Sequence, residues 1–579
     1  MRLFLRPQSG LIAAVLTCVA LASQGQVITP RPPPVVIAPP PGAVPQPDEL
    51  QQRVMPQPSE TGVVPKAPVL RELGKPNDEM TLDVTAYSVP DSAPAALREA
   101  LPGLTKQFTG KGRSYEDLIN ATSAVTRYLQ RDLGYYLGYA YLPEQTPVNG
   151  VIRIAVLEGR LDQVILNWPE KMPIARSVVE AYLARLKPGE ILRVRDVERI
   201  VFLVNDLRGI SARFEVKAGR DPGTATLVVT AQPEQRVASR VEIDSLGSRY
   251  SGVWRASALA NVASPFGQGD GLVVNALSST TAGLEFALAG YTLPVGSDGL
   301  KVGVSASYER YKLDPDLLAG TKLNGDATAL TLYALYPVVR SRNLNLFALV
   351  SADSKRFDDS LFGATQKKTT NDLQLSASGD ARDDLLTGGV NTYELVALHG
   401  RLALQQNALN DNPPNYNVGR FSLSRLQNLL SDRLLLLASL KGQYALDNLD
   451  STEQYQLGGP DRVRAFGPGE GTGDSGLVAS AEFRYLPPDS WFGRVSRELV
   501  FSAFYDIGTV RFRHDPTSAI VANPDFVNRT TLSGFGIGAV WDRPRDFSAR
   551  ISLAWPISGE AVNDVLKKPR IYLVANKSF

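Results

Sequence analysis

Leu284-Glu285-Phe286-Ala287-Leu288-Ala289-Gly290-Tyr291-Thr292-Leu293 is the stretch that decides the fold. Leu284, Phe286, Leu288 and Gly290 fall on one face of an extended chain, and Glu285, Ala287, Ala289 and Tyr291 on the other. That period of two belongs to a strand, not to a helix. Similar segments surround it at Val253–Val262, Gly271–Ser278, Leu300–Tyr311 and Ala327–Tyr336. Short turns such as Pro294–Gly299 alternate with longer polar loops such as Asp314–Asp326. Segments of ~10 residues joined in this way match a transmembrane β-barrel. A soluble β-sandwich alternates similarly over short distances, but here the series runs on without a second helical layer. It ends on the aromatic terminus Ile571–Phe579. The region 234–579 has room for about 16 antiparallel strands, which would enclose an aqueous lumen unless something fills it. Closure is expected because only a closed sheet satisfies its backbone groups in lipid.

Toward the N-terminus the pattern changes. Residues 1–25 carry Arg2 and Arg6, then the short apolar run Leu11–Ala22 ending in Ala20-Leu21-Ala22, and read as a secretory signal peptide. Cleavage after Ala22 removes Cys18, the single cysteine, so stability must come from packing or sheet closure rather than disulfides. Residues 26–78 form a proline-rich linker, extended and without a core. Its one helical island, Asp48–Met55, spans about 12 Å, too short to plug a membrane core of ~30 Å.

Residues 79–159 and 160–233 repeat one order of elements: strand, helix, helix, strand, strand. In the first unit, Leu82, Val84 and Tyr87–Val89 open with a strand. Ser114 and Asp117 form a capping box before Leu118, Thr122, Val125 and Leu129. Strands follow at Tyr139–Leu142 and Val151–Glu158, around the turn Asn149-Gly150. The second unit has a strand at Leu161–Leu166 and helices at Ile174–Leu186 and from Val194 to Val204. A hairpin across Asp221-Pro222-Gly223 completes it. Each unit should be a small sheet with helices on one face and an exposed strand edge.

The residue inventory excludes much chemistry. Formal net charge is +2, giving no reason to expect nucleic acid. His399 and His514 are the only histidines, so neither a metal cluster nor a histidine-based triad is expected. Asp358-Asp359 and Asp383-Asp384 read as solvated loop or turn residues. No P-loop is present. The chain reads as a non-enzyme without cofactor.

One stretch interrupts the strands: Gly458-Gly459-Pro460-Asp461-Arg462-Val463-Arg464-Ala465-Phe466, then the glycine-rich run to Gly476. With Gly134-Tyr135, Leu142–Gln145, Val156–Gly159 and Leu203–Gly209 in the repeated units, it resembles the TpsB transporters of two-partner secretion, within the Omp85 superfamily. In that family the repeated units are periplasmic POTRA domains, and Val463-Arg464-Ala465-Phe466 is similar to the signature of the sixth extracellular loop. Phe504-Tyr505-Asp506-Ile507-Gly508 resembles the aromatic-Asp-x-Gly wall motif. The resemblance implies a loop folded back into the barrel, with Arg464 facing Asp506. Spacing alone also allows a solvated loop arginine and a strand-end aspartate. The signature has glycine where Ala465 stands. Were φ positive there, alanine would cost about 1 kcal/mol.

The resemblance further implies a monomer in the bacterial outer membrane, bounded by its lipid, with N-terminal domains in the periplasm. It implies recognition of an unfolded exoprotein, a large β-helical protein, that folds outside and so gives transport its direction without ATP. An Omp85-type assembly factor inserting other proteins is the alternative, and rigid spacing is the alternative role for the POTRA-like units.

Overall fold

The computed structural model describes residues 81–318, 322–361, 364–404, 412–431, 433–562 and 568–579. The expected signal peptide, the linker and Asp48–Met55 lie outside the described residues.

Sixteen antiparallel strands, from Val237–Asp244 to Arg570–Ser578, form one closed barrel. Arg240 to Asp244 pair with Ser578 to Val574 at the closure. Phe579 and Ser239 exchange backbone hydrogen bonds beside it. In the strand Leu284–Val295, Leu284, Phe286 and Leu288 are buried inside, whereas Glu285, Ala287 and Ala289 are exposed outside. The alternation therefore separates a lipid face from a lumen face.

Several strands run further than their alternation indicated. Ala327–Tyr336 is the middle of Leu323–Arg340, and Leu344–Leu361 and Ala364–Asp383 span 18 and 20 residues. About 10 would cross the membrane, so this wall rises beyond it. Asp358 and Asp359 accordingly sit on a strand, not in a loop. Asp359 is buried and accepts a hydrogen bond from the Tyr311 hydroxyl.

Glycines opposite aromatics shape the inner wall. Gly303 pairs directly with Tyr333, Gly325 with Tyr311, Gly400 with Tyr416 and Gly536 with Phe504. A Cβ at Gly303 would come within 2.2 Å of the Tyr333 ring, and one at Gly536 within 2.3 Å of Phe504. Each buried ring occupies the space that the opposite residue lacks.

The first unit holds helices α1 (Ala95–Thr105) and α2 (Tyr115–Arg127). Helix α2 starts with the reciprocal Ser114–Asp117 capping box. Helix α1 was not located in the sequence because Pro94 precedes it and Pro102 lies within it. The expected strand Val151–Glu158 is broken at Ile154. Its first half pairs in parallel with Ala86–Ser88, and its second half antiparallel with Tyr139–Tyr141. The second unit packs α3 (Arg176–Leu183) and α4 (Val194–Asn205) on a three-stranded sheet. Thr224–Pro233 is its centre, flanked by Arg160–Asn167 and Ile210–Ala218.

Candidate functional site

Between the strands Leu434–Ala445 and Ser475–Tyr485, residues 446–474 form the sixth loop on the side away from the α/β units. Glycine and backbone bonding fold this loop tightly. The N–H of Val463 donates to the Leu457 carbonyl, and that of Gly459 to the Phe466 carbonyl. Val463, Ala465 and Phe466 are fully buried and join Leu457, Tyr455, Val478, Phe504 and Leu532 in one apolar cluster. The loop therefore packs on the wall as a small core of its own.

Within that core Arg464 meets its charge partners. Its Nε and Nη2 donate to Asp506 Oδ2 and Oδ1, both at 2.9 Å, and its backbone N–H donates to Oδ2 at 3.1 Å. Its Nη1 reaches Glu482 Oε2 at 2.6 Å, and Nη2 donates to Ser480 Oγ. Ser480 in turn donates to Asp506. The guanidinium carbon lies 3.3 Å from the centroid of the Phe504 ring. That stacking follows from Gly536, which lets the ring lie flat on the wall. A planar fork on an aromatic face, with carboxylates at its edges, is the geometry that arginine alone supplies.

Two further residues fix the loop tip. The Tyr572 hydroxyl donates to the Phe466 carbonyl. The Ala465 methyl faces Gly534, where an added Cβ would come 2.4 Å from it. Ala465 does not adopt the left-handed backbone, so its side chain brings no conformational strain. Of the wall motif, Asp506 and Gly508 face the loop, and Leu457 packs where a Gly508 side chain would stand. Tyr505 lies on the opposite face of its strand and does not reach the loop.

The sequence reading missed Glu482, Ser480 and Gly534. Glu482 and Ser480 sit in an unremarkable alternating strand. Gly534 carried a signal, since Gly534-Phe535-Gly536-Ile537-Gly538 places glycine at every second position of one face.

The Gly134-Tyr135 motif joins the two α/β units. Gly134 has φ +66° and its carbonyl accepts from the N–H of Val194 at the start of α4. Tyr135 belongs to the core of the first unit and Tyr136 to that of the second. Burial pushes the Tyr136 hydroxyl up to about 12.

Leu203–Gly209 seats the second unit under the barrel. Asp206 accepts both prongs of Arg340, at 2.9 and 2.8 Å, and both side chains are almost fully buried. Arg340 also stacks on Phe202, 4.6 Å from its centroid. The Arg208 N–H donates to the Gly269 carbonyl of a barrel turn. Leu203 packs where a Gly299 side chain would stand. Asn205 closes the local fold by bonding the backbone of Ala212 in both directions. Above this seat a cavity of about 900 Å³ lies between Ser211 and Arg213 of the second unit and the barrel mouth.

The profile of the haemolysin secretion/activation protein ShlB/FhaC/HecB family matches residues 223–539, and that of the ShlB-type POTRA domain residues 84–159. The heme/hemopexin transporter protein HuxB of Haemophilus influenzae (strain 86-028NP) is 26% identical, over 83% of this chain and 84% of its own. The outer membrane transporter CdiB of Dickeya dadantii (strain 3937) is 26% identical over 74% of this chain and 75% of its own. The solved structure of CdiB from Escherichia coli superposes with a TM-score of 0.68 at 20% identity, covering 92% of this chain and 97% of that one. A closed 16-stranded barrel behind a POTRA domain, together with these matches, shows that the chain belongs to the haemolysin secretion/activation (ShlB/FhaC/HecB) family of TpsB outer-membrane transporters, which export partner exoproteins.

Proposed function

We propose that the two periplasmic units capture one unfolded exoprotein and hand it to the barrel, whose sixth loop, held by Arg464 on Asp506 and Glu482, sets the state of the lumen. The observation that carries this reading is the continuity of the path. The second unit is bolted to the barrel mouth by Asp206 and Arg340, and the cavity beside this bolt opens onto the lumen wall. A client held at the units is thus delivered without leaving the protein. Extended segments of such a client would bind through main-chain pairing at an exposed strand edge, with side-chain pockets adding selectivity. The protein needs no nucleotide, and Val463, Ala465, Phe466 and Gly508 serve the loop's packing.

The test is export of the exoprotein encoded by a neighbouring gene, with and without this protein. Export that depends on the chain supports the reading, and export without it refutes it. Deleting residues 80–158 should abolish capture of that exoprotein in a pull-down. Undiminished capture would rule out the first unit as the receptor.

A further inference from the structure

The sixth loop touches the wall at a second place, with the charges reversed. There the loop supplies carboxylates and the wall supplies cations. Glu453 bonds Lys355 at 3.0 Å and Arg420 at 2.8 Å. Asp450 bonds Lys368 at 2.9 Å. Lys355 and Lys368 stand on the strands Leu344–Leu361 and Ala364–Asp383, well round the barrel from the strand that carries Asp506. Lys355, Lys368, Asp450 and Glu453 are at least nine-tenths buried, and Arg420 is partly exposed. The loop is therefore pinned to two separated parts of the wall.

The two attachments differ in what they leave behind. Each wall cation at the second place also lies beside a carboxylate or amide that belongs to the wall. Lys355 lies 3.1 Å from Asp372, Lys368 lies 4.0 Å from Asp359, and Arg420 donates to Gln443 at 2.8 Å. Withdrawal of Asp450 and Glu453 leaves every one of these cations with a partner. At the tip the reverse holds for Asp506, whereas Glu482 keeps Arg484. Among the described residues, withdrawal of Arg464 leaves buried Asp506 with only the Ser480 hydroxyl as a side-chain partner. An uncompensated buried charge is what makes breaking an ion pair expensive, so the tip is costly to release and the base is not.

We propose that Asp450 and Glu453 form a releasable clasp. When the lumen opens, the base of the loop leaves Lys355, Lys368 and Arg420 while Arg464 stays on Asp506 as the pivot. This rests on the reading of the barrel as a conduit, and its test needs no client.

The full-length protein is reconstituted in a planar lipid bilayer bathed in potassium chloride. The Asp450→Asn/Glu453→Gln variant should open about tenfold more often than the parent. In a Cys18→Ser background, the Asp450→Cys/Lys368→Cys variant should stop opening once a short bismaleimide bridges the pair, and each single cysteine variant should be unaffected by the reagent. An unchanged opening frequency in the first variant, or openings that persist after bridging, would overturn the clasp. Failure of the secretion reading would show separately, as exoprotein export that ignores this protein.

Discussion

Arg340 and Asp206, 134 residues apart in the chain, close a two-pronged ion pair between the barrel floor and the end of α4. Both are almost fully buried, and the guanidinium is sandwiched against Phe202. The pair is the buried member of a set of bridges between the second periplasmic unit and the barrel, with Arg185 and Arg199 on Asp298 beside it.

Removing one partner should therefore loosen the joint. Asp206→Ala leaves a buried guanidinium without its carboxylate, at a cost of about 3–5 kcal/mol. Hydrogen exchange in α4 and in the turn near Arg340 should rise sharply, with the barrel strands unchanged. Arg340→Lys keeps the charge but loses the second prong and the stacking, and should give an intermediate result. Exchange equal to the parent's in both variants would show that the joint is held elsewhere.

Arg464→Ala should abolish export. The loss leaves Asp506 without its cation, while Glu482 keeps only Arg484. Asp506→Asn should be milder than Asp506→Ala, because the amide still accepts one hydrogen bond from the fork. Glu482→Gln should be milder still, since Asp506 retains both of its prongs. Export of the exoprotein, with barrel folding checked by heat-dependent mobility on gels, measures this order.

Gly534→Ala sets a methyl against the Ala465 methyl at a distance no packed pair tolerates. Overpacking of this kind costs about 1–3 kcal/mol. Ala465→Gly alone should be almost neutral, because Ala465 has an ordinary backbone conformation. Combining the two should recover part of the loss. The recovery is partial because the new methyl also approaches the Trp555 carbonyl at 2.9 Å. A denaturation cycle over the four proteins gives the coupling directly.

Alkaline pH should destabilise the periplasmic units above the ordinary tyrosine value. Burial raises the hydroxyls of Tyr87, Tyr136 and Tyr182 from 10.0 to about 12. A raised folded value means that the stability is complete below pH 10 and is lost between 10 and about 12. Proteolysis within residues 81–233 should rise over that interval. Tyr136→Phe cannot ionise, so its transition should move to higher pH. A transition in Tyr136→Phe at the parent's pH would remove this residue from the account.

The fold was legible wherever one face of an element repeats. Leu284, Phe286 and Leu288 announced a strand, and Ser114 with Asp117 announced the start of α2. Helix α1 was hidden because Pro94 and Pro102 mask its period. The centre of the loop was legible through the resemblance that set Arg464 opposite Asp506, whereas spacing alone also allowed a solvated arginine and a strand-end aspartate. Glu482 was not, because register across the wall decides which carboxylate lies opposite, and a local pattern does not encode register. Lys355, Lys368, Asp450 and Glu453 were invisible for the same reason. Each is an ordinary charged residue until the barrel closes and brings 98 positions of separation down to one contact.

The glycines of the inner wall bear on how that wall can be altered. Tyr333, Tyr311, Tyr416 and Phe504 lie flat because their opposite residues have no side chains. Each ring is at most 8% exposed and so spends its area on the wall and on the side chains above it. A side chain at any of these glycines would have to push a ring off the wall, so four small residues set how closely the inner layer can pack.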